Sequence, residues 1–288
     1  MLPIVFYTSP KEHRLEMAET FAAGVRRHGD NITFQPLGQG FPDCYHAAVI
    51  IGNKQRYLLN PLSEYGCPII SIDRAYAVLE GGELSRIRNY SRVSINDSHP
   101  MDFLGKLSMP DDRRNRFNWN PKPWRREGKY IVFAGAARSY YDRRGIPGIR
   151  SHVIQVVDDI KRYSKRQVLF RVKPNLRRDF GGPLPNAIDA SHKVYDLPAL
   201  FADCHTLVVE ESSIAIEALL SGVPSVVLGP SPTRLISSTC LSEVDNPKLA
   251  SHEEVTNLLN DLAYFQFNSV EYGDGTAWAF LRGLLPCD

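Results

Sequence analysis

The sequence predicts an α/β fold of two similar halves, each a parallel sheet covered on both faces by helices. Three observations predict it. Short, uniformly apolar runs alternate with amphipathic segments of helical period, the pattern of strands buried on both faces. The same strand–helix rhythm occurs twice, once before residue 111 and once after residue 128. Between them DDRRNRFNWNPKPWRREGK, Asp111–Lys129, has no apolar period and carries Pro121 and Pro123, as a connection does.

The first half, residues 1–110, opens with LPIVFYTSP, an apolar strand ending in small polar residues. Lys11–His28 follows, with Leu15, Met17, Phe21, Ala22 and Val25 spaced for a helix. ITFQPL (Ile32–Leu37), AAVIIG (Ala47–Gly52) and CPIISID (Cys67–Asp73) supply further strands. The second half, 129–270, starts with KYIVFAG (Lys129–Gly135), a strand that stops at glycine. Ser151–Ser164 is a helix, QVLFRVKP (Gln167–Pro174) a strand and Leu197–Cys204 a short helix. VVEESSIAIEALLSGVPSVVLG (Val208–Gly229) reads strand, turn, helix, turn, strand. His252–Phe265 is a late helix with Val255, Leu258, Leu259 and Leu262 on one stripe. The last segment, 271–288, is expected to pack back across the boundary.

Composition excludes several classes. The 288 residues are 43% hydrophobic and 23% charged with a net charge of +2, so nucleic-acid binding would need a local patch. The five cysteines are scattered without a CxxC pair, which speaks against zinc and disulfides and for a reducing, cytoplasmic setting. MLPIVFYTSPKEHR has no basic n-region or long apolar run, so no secretory signal is expected. No stretch approaches the roughly 18 apolar residues of a membrane span.

In open parallel sheets ligands bind beyond the carboxyl ends of the strands. In the first half those ends are Tyr7-Thr8-Ser9, Gly52-Asn53-Lys54 and Asp73-Arg74; in the second they are Gly135 to Ser139, Arg171-Lys173-Asn175 and Glu210 to Ser213. The second set suits phosphate: small residues admit close backbone approach, cations offset charge, and a serine-led helix start offers free amides. Ser212 or Ser213 is a credible N-cap. Glu217 lies one turn on, about 6 Å along the axis, in a helix that is otherwise apolar. A carboxylate there can accept from both hydroxyls of a nucleotide ribose. It can equally cap a buried amide or pair with an arginine.

A strand, SSxxxEALLxGxP and a second strand together resemble the donor half of GT-B glycosyltransferases, nearest the capsule-polysaccharide and polysialyl type. DLPALFADCHTLVVEESS (Asp196–Ser213) resembles the segment where the donor base rests on backbone, which implies Tyr195 and Leu197 as neighbours of the base. GCPIISIDRAYAVLEGGELSRIRNYSRVSIND (Gly66–Asp97) resembles an acceptor-half block. The resemblance implies two Rossmann-like halves facing a central cleft. It also implies donor phosphates on Ser212 and Ser213, with Glu217 beside the ribose. Phage DNA glucosyltransferases share that fold more distantly. One departure is KPN at Lys173-Pro174-Asn175, where capsule-type proteins carry HP.

Asp73 is the first candidate base toward an acceptor hydroxyl, with an N-cap or a salt bridge to Arg74 as its alternative; His99 and Asp97 compete. No DxD metal signature occurs, so Arg138, Arg171 or Lys173 must stabilise the leaving diphosphate. Ser139 and Glu211 complete the donor set. Thr8, Ser9, Asn53, Lys54, Arg74 and Tyr76 form the acceptor set. In the connection, seven basic residues face three acidic ones, with Phe117, Trp119 and Trp124 interleaved. Arg116, Trp119 and Trp124 therefore suit nucleic-acid stacking, or else the tryptophans tuck against a domain. The expected activity is metal-independent transfer from a nucleotide sugar, a UDP-sugar first, with no cofactor. A hydroxymethylated base in duplex DNA is the modestly favoured acceptor and a saccharide the alternative. A UDP-sugar 2-epimerase and a non-catalytic nucleotide-binding module stay open.

Overall fold

The computed structural model describes residues 1–8, 12–37, 45–52, 64, 66–80, 83–86, 90–173, 176, 182–190 and 196–286; the side chains of 12, 13, 77–80 and 83–86 are outside that description. Along the chain run β1 (Pro3–Thr8), α1 (Glu12–Arg27), β2 (Asn31–Pro36), β3 (Ala47–Ile51), β4 (Ile69–Arg74), β5 (Ala77–Glu80), β6 (Glu83–Arg86) and β7 (Tyr90–Ile95). Then come α2 (Asp112–Arg116), β8 (Tyr130–Ala134), α3 (Arg138–Arg143), α4 (Ile149–Tyr163), β9 (Gln167–Arg171), β10 (Ile188–Asp189), α5 (Leu197–Phe201) and β11 (Cys204–Val209). The chain closes with α6 (Ile214–Leu220), β12 (Ser225–Val227), α7 (His252–Tyr264), β13 (Gln266–Asn268), α8 (Ser269–Gly273) and α9 (Thr276–Arg282). Two compact units form. One gathers 1–76, 87–100 and 264–288; the other gathers 77–86 and 101–263.

The first unit holds a six-stranded sheet of order β13-β7-β4-β3-β1-β2. β2, β1, β3 and β4 are parallel, whereas β7 runs antiparallel to β4, and β13 to β7. The antiparallel edge lies outside the sequence expectation of a parallel sheet. A parallel return needs a crossover of a dozen or more residues, usually a helix, and between β4 and β7 the described residues hold only the β5–β6 pair. Helix α1 buries Ala18, Phe21, Ala22 and Val25, while Leu15, expected on that stripe, is exposed. The ring of Phe21 meets Phe6, Tyr272 and Trp278. Gly24 permits the close approach of α8, since a Cβ there would sit 2.0 Å from the Tyr272 carbonyl.

Asp30 fastens the chain's two ends in this unit. Its buried carboxylate accepts from the Leu2 amide at 2.9 Å, Trp278 Nε1 at 2.9 Å and Arg282 Nε at 2.8 Å. Burial pushes this carboxyl up, but those three donors and the Arg282 charge outweigh it, and the net shift is downward.

Besides the antiparallel β5–β6 pair, the second unit holds a five-stranded, wholly parallel sheet of order β10-β9-β8-β11-β12. Alternation divides its side chains between two cores. Ile131, Phe133 and Val208 face α4, with Phe170 beside them; Val132, Ala134, Leu207 and Val209 face α5 and α6. The connection is built onto this unit: the Lys122 and Arg125 amides donate to the Leu220 and Gly222 carbonyls at the end of α6. Gly222 takes a left-handed φ of +72°, and a Cβ there would stand 2.3 Å from the Pro123 carbonyl. Among the described residues no helix is long and apolar enough to cross a membrane.

Asp30→Ala strands the Leu2 amide and the Trp278 indole, and is expected to cost about 2–4 kcal/mol in chemical denaturation. Because the folded pKa is depressed, Asp30's contribution is full above the usual carboxylate pKa and is lost as pH falls through the folded value. The gap between wild type and Asp30→Ala should therefore narrow in acid.

Candidate functional site

In the second unit the strand order reverses at β8: β9 and β10 lie on one side of it, β11 and β12 on the other. Such a reversal leaves a crevice outside the carboxyl ends of the two central strands. Here those ends are Gly135–Ala136 after β8 and Glu210–Ser213 after β11. The Gly135 amide donates to the Arg171 carbonyl at 3.1 Å, which ties the end of β9 to the same place.

On the α6 side stands Glu217. It is only 5% exposed, and its Oε2 has no hydrogen-bond partner. Burial pushes its carboxyl up to about 7; a backbone amide at its own position and the Arg171 charge oppose that rise. Arg171 ends β9 two residues beyond Leu169, which packs on the α5–α6 core, so it projects toward this side and not to solvent. Ser212 is buried, and its Oγ accepts from the Ile214 amide at 3.4 Å. Ser213 holds the N-cap position without a side-chain capping bond.

On the α4 side the first residue past β11, Glu210, is 2% exposed. Its Oε2 accepts from Tyr141 Oη at 2.8 Å and its Oε1 lies 2.5 Å from His152 Nε2. Tyr141 Oη accepts in turn from the Ala136 amide at 3.0 Å, joining the ends of β8 and β11. Burial first, then the Glu210 charge, pushes the Tyr141 hydroxyl far up. Glu211 points the other way along the turn and is gripped by both its oxygens on Arg143, at 2.8 and 2.9 Å.

The remaining donor-side candidates spread around this crevice. Arg138 and Ser139 open α3, exposed and half-buried respectively, and Lys173 is half-buried just beyond β9. Leu197 is buried in the core, so only its backbone is offered to a ligand. Asn175 and Tyr195 lie outside the described residues, as do the acceptor candidates Ser9, Asn53 and Lys54.

The first unit brings the three base candidates into one neighbourhood. Asp73 ends β4; its Oδ1 accepts from the Arg74 amide at 2.8 Å and its Oδ2 pairs with Arg92 at 3.1 Å. Arg92 lies 5.0 Å above the ring of Tyr76. Tyr76 is fully buried, stacks on His99 and has its Oη 2.9 Å from His99 Nδ1. Asp97 lies close enough to affect the Tyr76 hydroxyl, although burial is the chief cause of that hydroxyl's rise. His99 and Tyr76 are thus interior, and Asp73 keeps an accessible edge at 30% side-chain exposure. Arg74 is exposed. Thr8 lines a small concavity at the ends of β1 and β3 with Tyr7, Arg14, Leu37 and Ile51. That is this sheet's own reversal point, because β2 and β3 flank β1.

The connection corrects an expectation. Trp119 is fully buried against Phe117, and Trp124 is half-buried with its Nε1 bonded to the Ala250 carbonyl at 2.6 Å. Arg113 is buried, and Arg114 binds Asn260 and the Trp119 carbonyl. Neither tryptophan is a stacking platform. Arg116 stays exposed, 3.7 Å from Asp112. Sequence reasoning placed Glu210 among the strand-end residues without giving it a role of its own, although alternation with buried Val208 was a signal for its burial, and it passed over His152. It also passed over Arg14, whose signal was its place in the first turn after β1.

No family model and no curated protein matches the chain. Solved structures do. The KpsC beta Kdo 2,4 transferase of Thermosulfurimonas dismutans aligns with a TM-score of 0.52 at 12% identity, over 90% of both chains. The fold is GT-B-like. The KpsC beta Kdo 2,7 transferase of the same organism aligns at 0.49 and 11% identity, over 97% of this chain and 100% of that one. A Methanocaldococcus jannaschii UDP-GlcNAc 2-epimerase, in complex with UDP-GlcNAc and UDP, reaches 0.32 at 10% identity over 98% and 99%. At 12% identity the likeness is one of fold, α/β with two Rossmann-like units, as the sequence predicts.

Glu217 makes a stability prediction. Its folded pKa is raised, so stability is full below the ordinary value of 4.5 and falls as pH rises to about 7. Glu217→Gln removes that titration. At pH 8 it should be more stable than wild type by about 1–3 kcal/mol, with no gain at pH 4.5, in thermal or denaturant melts.

Proposed function

We propose that the protein is a nucleotide-sugar-dependent glycosyltransferase that binds its donor in the second unit and transfers to a saccharide hydroxyl. The observation that carries this reading is Glu217, a carboxylate buried at the reversal point of a parallel sheet with one oxygen left unpartnered. An isolated buried carboxylate is costly, and two ribose hydroxyls donating to it would cancel the cost. Arg171 nearby favours its charged form. The phosphates would lie across the Gly135 end of β8 and the Ser212–Ser213 turn, where small residues admit the backbone. Arg138 and Lys173 would face the charge that develops on the leaving phosphate. Asp73, held by Arg92 and the Arg74 amide, would accept the proton of the attacking hydroxyl.

A saccharide acceptor is preferred over DNA because the basic-aromatic connection, the feature that favoured DNA, spends its tryptophans on packing. The fold shared with a Kdo transferase supports the same class. Calorimetry with UDP, CDP, GDP and ADP tests the donor site: one of them should bind, and Glu217→Ala should weaken it about 10- to 100-fold. Asp73→Asn should lower transfer to a saccharide acceptor at least about 100-fold while leaving nucleotide affinity within twofold. Loss of nucleotide binding in none of the Glu217 variants, or an epimerised sugar formed without any acceptor, would overturn the assignment.

A further inference from the structure

The polar cluster on the α4 side of the crevice has no part in the scheme above. We propose that His152 binds a phosphoryl oxygen of the donor nucleotide through Nδ1, and that Glu210 and Tyr141 are positioning residues that hold its ring. This inference rests on the reading that a nucleotide lies across the ends of β8 and β11.

Glu210 is 2% exposed, and a carboxylate is kept in such a place only with partners. It has two, one per oxygen: Tyr141 Oη at 2.8 Å and His152 Nε2 at 2.5 Å. Tyr141 also takes the Ala136 amide at 3.0 Å, so each carboxylate oxygen and the phenol already has a partner within the protein. His152 differs. Its side chain is 29% exposed, and its only hydrogen-bond partner through the ring is Glu210 among the described residues. With Nε2 committed to the carboxylate, Nδ1 is the edge left for a ligand.

Position selects the ligand. His152 lies in the first turn of α4, a helix of 15 residues whose N-cap, Gly148, has no side chain to offer the free amides. The same turn abuts, through Glu210, the crevice in which the phosphates are proposed to lie. A ring that holds a proton on each nitrogen, one toward Glu210 and one toward the ligand, places a positive charge between two anions. Nothing in this arrangement suits a neutral sugar hydroxyl better than a phosphoryl oxygen.

Two substitutions separate the two edges of the ring. Gln at 152 carries its amide near the position of Nε2, and Asn near that of Nδ1. Calorimetry with UDP, CDP, GDP and ADP, and with the four parent nucleosides, should show His152→Gln weakening the bound diphosphate about 10- to 100-fold. Its nucleoside affinity should stay within twofold. His152→Asn should keep more of the diphosphate affinity than His152→Gln. Glu210→Gln should lose diphosphate affinity in the same selective way, whereas Glu217→Ala should weaken nucleoside and diphosphate together. Circular dichroism melts identify any variant that fails to fold, and the partner substitution then decides. If His152→Gln binds the diphosphate as wild type does, the ring only holds Glu210 and the proposal is wrong. If His152→Gln loses nucleoside and diphosphate equally, it is wrong as well. If wild type binds none of the eight compounds, the donor-site reading itself falls, and this inference with it.

Discussion

The structure of the second unit turns on the burial of negative charge at the reversal point of its sheet. Two carboxylates, Glu210 and Glu217, are buried there on opposite faces. Each loses hydration worth several kcal/mol, and the protein treats the two differently. Glu210 is repaid by a phenol and an imidazole from α3 and α4. Glu217 keeps a bare oxygen and rises toward neutrality instead. A chain selected for stability alone would place glutamine or leucine at 217, as it does with apolar residues along the rest of α6. A buried carboxylate oxygen left without a partner is the kind of departure from stability at which a ligand is expected to complete the chemistry.

The geometry of that departure follows from the sheet. Because every strand of the five-stranded sheet is parallel, all five carboxyl ends fall on one edge. Because side chains alternate along β11, Val208 belongs to the α4 core and Val209 to the α5–α6 core, and Glu210 turns back to the α4 side, where it meets Tyr141 and His152. The turn after β11 therefore splits its polar groups between two faces. Glu210 meets α4, while Ser212 and Ser213 lead into α6 and carry Glu217 one turn behind them. A ligand laid across the strand ends, as proposed, would touch both faces at once.

Much of this was legible in the chain. Uniformly apolar strands with helical segments between them announced the parallel sheet of the second unit and the four parallel strands of the first, and a single acid inside an otherwise apolar helix marked Glu217. What was hidden depends on contacts distant in sequence. Glu210 and His152 are 58 residues apart, and no local pattern brings them together. The twin letters Glu210-Glu211 also disguised that one is buried and the other clasped by Arg143. Composition misled at the connection: arginines beside tryptophans describe a stacking surface and a packed seam equally well, and burial of Trp119 decides for the seam. The antiparallel β7 escaped notice because YSRVSI is half polar, and its direction goes with a β4–β7 connection that holds no crossover helix among the described residues.

The first unit applies the opposite electrostatic strategy to its candidate base. Asp73 is not buried bare but held on two sides, by the Arg74 amide and by Arg92. Arg92 is itself braced on Tyr76, whose ring and hydroxyl are fixed by His99 and whose amide donates to Gln266 at 2.7 Å. Tyr76 and His99 thus brace Arg92, and Arg92 sets the direction of one accessible carboxylate. Two fixed donors, the Arg74 amide and the Arg92 guanidinium, restrain the rotation of this carboxylate. Positional restraint of this kind is worth rate in its own right. It requires the aspartate to be paired before substrate arrives, which is the arrangement at the end of β4.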